Sequence, residues 1–193
     1  MGIFDRLFGG RFSAPPPEDT DISDAEIQRE LHPRPTAEQR KAMAALLSAL
    51  FAHMPASESD RLTRRIKRLF TDINGATEAL SAGLLDDARG QKPEYLTLLS
   101  VDWRGFDGFE YQAPLAVKAS GLEEAYEYRH LEASEMVQLL AEFDEWLTVR
   151  GRRYLHLESG SDTYEGVIVM SAQAPDIIRI AADAGIRFSL TPV

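Results

Sequence analysis

Two short stretches hold the residues whose types and spacing can do chemistry. In SVDWRGFD, Asp102, Trp103, Arg104 and Asp107 crowd the carboxyl end of an apolar run. Ligands of open α/β sheets bind at strand ends of this kind, and a carboxylate, an indole and a guanidinium together suit a polar small molecule. In YLHLESGSD, His156 and Glu158 stand two apart, so on a strand they share one face with Tyr154. Each set also has a plainer reading. Asp102 can cap the turn after its strand while Trp103 packs in the core. His156 and Glu158 can lie on a hydrogen-bonded sheet face. Joined by His130 and Asp162 they would make a His/carboxylate set, but the spacing matches no metal-binding motif, and no metal or cofactor is expected. SGSD has a single glycine to offer a phosphate, and a hairpin turn accounts for it.

No Walker A loop, GxGxxG, GxSxG or HExxH occurs in the chain. With no cysteine there is no disulfide, thiolate nucleophile or Cys-based metal site, and a reducing cytoplasm suits such a composition. The longest apolar stretch, AMAALLSALFAHM, is broken by Ser48 and His53 and falls short of a membrane span. At the start, Ile3, Phe4, Leu7 and Phe8 form an apolar cluster interrupted by Asp5 and Arg6. That reads as neither a secretory signal nor a stable membrane anchor, and it suits weak docking on a partner or on the protein itself.

The net charge of −10 is unevenly spread, with 17 acids against 8 bases in Pro93–Val193. This half should repel nucleic acid and attract a basic protein, through Glu123, Glu124, Glu127, Glu142, Asp144 and Glu145. The one basic concentration, Arg61, Arg64, Arg65, Lys67 and Arg68, lacks interleaved aromatics and reads as a solvated or docking face rather than a nucleic-acid site.

These side chains need a frame. Residues 1–35 are rich in Pro, Gly and acid and read as a flexible tail, with a weak helix around Ile22–Leu31. Residues 36–91 read as a helical subdomain. Thr36 with Gln39 makes a capping-box pattern ahead of Met43, Leu46, Leu47, Leu50, Phe51 and Met54, and Leu62, Ile66, Leu69, Phe70 and Ile73 stripe a second helix. A third runs through ATEALSAGLLDDARG.

Residues 92–193 read as an α/β domain able to fold alone, with the order β-α-β-α-β-β-α-β. EYLTLLSVDW is a strand and GFDGFEYQ a loop. PLAVKASG is a helix, EAYEYRH a strand, and SEMVQLLAEFDEWLTVRG a helix that buries Trp146. RRYLHLESGSDTYEGVIVMS is two strands around a loop, APDIIRIAADAG a helix and IRFSLTPV a strand. The fold class expected is α+β, a mixed β-sheet packed with helices and preceded by a helical hairpin.

The stretches YLTLLSVDWRGFDGFEYQ and YLHLESGSDTYEGVIV, with the terminal strand, resemble an uncharacterised bacterial domain family of unknown function over Glu94–Val193. The resemblance implies a domain boundary and no catalytic residues. The residues support a non-catalytic cytoplasmic binding or regulatory protein with an acidic partner-binding face, in the manner of small immunity proteins. The alternative is a small hydrolase or ligand-binding enzyme with its site around Asp102, Trp103, Arg104, Asp107, His156 and Glu158.

Overall fold

Thr36 starts the first helix by the exchange its sequence prescribes. Its hydroxyl accepts from the Gln39 N–H at 3.1 Å and its own N–H donates to the Gln39 side chain at 2.9 Å. The computed structural model describes Ser23, Ile27 and residues 34–72, 74–128 and 135–191. The N-terminal apolar cluster, the helix expected around Ile22–Leu31, Ile73 and His130 lie outside the described residues, apart from Ser23 and Ile27.

Helix α1 (Ala37–Leu50) buries Met43, Leu46, Leu47 and Leu50. Helix α2 (Ala56–Leu69) buries Leu62 and Ile66, and α3 (Ala76–Leu84) packs on it. The basic concentration on α2 is partly consumed by this packing. Arg61 pairs with buried Glu58 at 2.6 Å and donates to the carbonyls of Arg89 and Gly90, while Arg65 reaches Ala82 and Gly83 at the C-terminal end of α3. Both arginines thereby satisfy carbonyls that lack helical partners.

Four strands follow: β1 (Leu98–Asp102), β2 (Arg152–Leu157), β3 (Thr163–Met170) and the two-residue β4 (Phe188–Ser189). Their order across the sheet is β1-β3-β2-β4 and every pairing is antiparallel. The α+β class is as expected, but the sheet is antiparallel rather than mixed. Strands β1 and β2 point the same way, and β3 lies between them, returning from the hairpin, so no parallel pair forms.

Alternation along the strands divides the apolar side chains into two clusters. Leu98, Leu155, Leu157, Val167 and Val169 pack with α1, α2, α3 and helix α6 (Ala174–Ala184). Leu99, Val101 and Tyr154 face helices α4 (Phe106–Ala119) and α5 (Met136–Thr148). The N-terminal helices thus share a continuous cluster with one face of the sheet. Among the described residues no helix is long and apolar enough to cross a membrane.

Three local expectations need correction. GFDGFEYQ is helix, the first half of α4, since burying Phe109 beside Ala113, Ala116 and Val117 outweighs Gly108 and the internal Pro114. In EAYEYRH, Glu124–Tyr128 form no strand. Tyr126 and Tyr128 both set their rings edge-on to Phe109, so the alternation serves an aromatic cluster without a hydrogen-bonded ladder. Trp146 is only partly buried, flanked by Tyr126 and covered by the Arg150 guanidinium 3.8 Å above its ring.

Strand β1 is an edge, and two glutamines close it. Gln91 accepts from Leu98 N–H at 2.9 Å and donates to Leu98 O at 2.6 Å; Gln112, on α4, does the same for Ser100 at 3.0 and 2.7 Å. Each side-chain amide replaces one residue of a neighbouring strand. Replacing Gln112 with alanine should lower stability by about 1–2 kcal/mol in urea unfolding, because Ser100 then keeps two unmade hydrogen bonds.

Candidate functional site

The β2–β3 turn, the segment after β1 and the link from α6 to β4 meet at one end of the sheet. They enclose a cleft of about 790 Å³ with Trp103, His156, Glu158, Asp162, Glu165 and Arg187 among its lining residues. That volume lies in the range of small-molecule sites. Register explains the assembly: Asp102 pairs with Thr163 and Leu157 with Phe188, so the residues just beyond those pairs converge.

The turn is braced by hydroxyls. Ser161 Oγ lies 2.7 Å from Ser159 Oγ and 2.8 Å from Thr163 Oγ1. On the α3 side, Ser81 donates to Glu165 Oε2 at 2.6 Å and Thr163 to Oε1 at 3.4 Å. Glu165 is 6% exposed, and no basic side chain among the described residues pairs with it. At the cleft's outer wall Trp103 is 52% exposed, with the Arg104 guanidinium 4.0 Å above its ring.

His156 is 4% exposed, stands edge-on to Tyr154 and has no hydrogen-bond partner for its imidazole among the described residues. Burial pushes its pKa down to about 4, against a smaller upward pull from Asp144. The native state therefore holds a neutral ring, whereas the unfolded chain takes up a proton below its ordinary value. Stability should be complete above about pH 6.5 and fall as pH drops towards 4, by about 2 kcal/mol at pH 4.5. Urea unfolding across this window should show a flatter profile for His156→Gln.

The structure sorts the candidates expected from sequence. Trp103, His156, Glu158 and Asp162 come together in the cleft. Asp102 does not line it; its Oδ1 accepts from Arg104 N–H at 3.0 Å and its carbonyl from Gly105 at 2.8 Å, the turn-capping role. Arg104 stacks on Trp103, and Asp107 sits exposed in the first turn of α4. Trp103 is not in the core. Glu158 lies one residue past β2, where its N–H donates to Arg187 O at 3.0 Å and its carboxylate lies 3.6 Å from the Arg187 guanidinium. Glu165, Thr77 and Arg187 carried no local signal, since only sheet register and the packing of α3 bring them to the cleft. Among the described residues no three His, Asp or Glu side chains converge as metal ligands.

Two of the six acids assigned to a partner face are spent inside the molecule. Asp144 takes a bidentate contact from Arg153, at 2.8 Å from Nη2, and accepts from Tyr154 N–H at 2.7 Å, closing β2 where β4 stops. Glu124 forms a bidentate pair with Arg150, which holds its carboxyl below the usual range. Glu123, Glu127, Glu142 and Glu145 are exposed.

A family model described as a domain of unknown function, DUF6630, matches residues 37–191. The chain belongs to the DUF6630 family. The expected resemblance to a domain family of unknown function is borne out, and the match extends beyond Glu94 to take in α1, α2 and α3. The DUF6630 match thus covers both apolar clusters and the whole cleft. No curated protein and no solved structure matches the chain.

Proposed function

We propose that this chain is a binding protein for a small polar molecule, seated in the cleft at the hairpin end of the sheet. The observation that carries this reading is the meeting of Trp103 with His156 and Glu158, which belong to a segment far from it in sequence, around a space of ligand size. An exposed indole, a neutral buried imidazole and a turn lined with hydroxyls supply one flat apolar wall and several directional polar contacts. A few polar groups placed on an otherwise closed wall fix a ligand's orientation. The carboxylates of the cleft disfavour a nucleic-acid backbone, and the cysteine-free composition suits work in a reducing cytoplasm.

The test is a thermal-shift and tryptophan-fluorescence screen of the full chain against charged and neutral polar metabolites. At least one compound should raise the melting temperature and perturb Trp103, and Ser161→Trp, which places an indole in the mouth of the cleft, should abolish both effects. Failure of every class of compound, or an undiminished response in Ser161→Trp, would remove this reading.

A further inference from the structure

We infer that the ligand of this cleft is a small organic cation whose ammonium or guanidinium group pairs with Glu165. The inference rests on the cleft reading above and deepens it. Two glutamates of this protein are buried to the same 6% exposure, and their surroundings differ. Glu58 has Arg61 at 2.6 Å and Lys92 at 3.6 Å. Glu165 has the hydroxyls of Ser81 and Thr163 and, among the described residues, no cation. A buried carboxylate is costly without a positive partner, and hydroxyl dipoles offset only part of that cost. A ligand cation entering the cleft would give Glu165 what Glu58 already has.

Three further features of the lining agree with a cation. Glu158, Asp162 and Glu165 face a single arginine, Arg187, which Glu158 already engages at 3.6 Å. Trp103 lines the cleft with an indole, the aromatic surface that attracts cations best, and its ring already holds the Arg104 guanidinium at 4.0 Å. His156, buried and with no hydrogen-bond partner among the described residues, has one ring nitrogen to donate and one to accept, so it suits a ligand with a hydrogen-bonding group beyond its charged head. The cation is organic because the acids and histidine of the cleft do not converge as metal ligands.

Isothermal titration of the full chain with agmatine and putrescine, beside a neutral hexose and citrate, tests the inference. At least one of the two amines should bind, more weakly as salt rises. Glu165→Gln, which keeps an acceptor for Ser81, should weaken that binding about 30-fold. Trp103→Ala alters an exposed side chain that the fold does not need, and it should weaken binding about fivefold; it decides the matter should Glu165→Gln melt early. Binding of the hexose or citrate without either amine would overturn the cationic class and leave the cleft reading standing. Absence of binding by all four, together with a blank screen, would remove both. Unchanged amine affinity in a folded Glu165→Gln, or in Trp103→Ala, would also overturn the inference.

Discussion

Gly166→Ala should cost on the order of 4 kcal/mol, read as a fall in the urea midpoint at unchanged slope. A β-carbon built at Gly166 on the central strand β3 runs into the ring and hydroxyl of Tyr154 and lies 2.7 Å from Leu155 O. Neither obstacle can withdraw. Tyr154 is fully buried, edge-on to His156 and tilted against Phe143, and Leu155 O belongs to the neighbouring strand. The same neighbourhood contains a group that would be better absent: the Tyr154 hydroxyl is buried with no hydrogen-bond partner among the described residues. Tyr154→Phe should therefore be neutral or stabilising by about 1 kcal/mol. A Gly166→Ala chain as stable as the parent would show that β2 and β3 do not meet in this register.

A fragment beginning at Gln91 should not fold cooperatively. Without α1, α2 and α3, the sheet face carrying Leu98, Leu155, Leu157, Val167 and Val169 keeps only α6 as cover. Uncovered apolar surface on that scale gives a collapsed, dye-binding state or aggregation. Far-ultraviolet circular dichroism of the fragment should retain secondary structure, while the near-ultraviolet signal and a cooperative melt should be lost. A sharp melt near that of the full chain would establish residues 92–193 as an independent domain.

Sequence periodicity was most informative where burial is one-sided and local. The stripe Met43, Leu46, Leu47 and Leu50, the Thr36–Gln39 box, and Pro175 and Gly185 around α6 all fall where the structure puts them. It failed in the first half of α4, where the glycines of GFDGFEYQ suggest a loop ahead of a helix beginning near Pro114, and only contact with the sheet makes the longer helix worthwhile. The site was half legible. His156 and Glu158 stood out by type, and the Ser159–Asp162 stretch by its turn chemistry. Glu165 did not, because nothing nearby in sequence distinguishes a strand glutamate that faces solvent from one held by Ser81 across the fold. Asp144 misled for the converse reason: on a helix rich in acids it looked solvated, yet its position beside β2 makes it a backbone acceptor.

The two glutamines on β1 bear on the order in which the chain can assemble during synthesis. The other edge of β1 waits for its sheet partner until β3, which begins at Thr163, has left the ribosome. At roughly 5–20 residues per second that is an interval of seconds, and a nascent strand with two open edges is sticky for all of it. Gln91 is made before β1 and Gln112 soon after it. One edge can thus be sealed by sequence neighbours as the segment emerges, so the growing chain presents a single open flank, the one that β3 will later occupy.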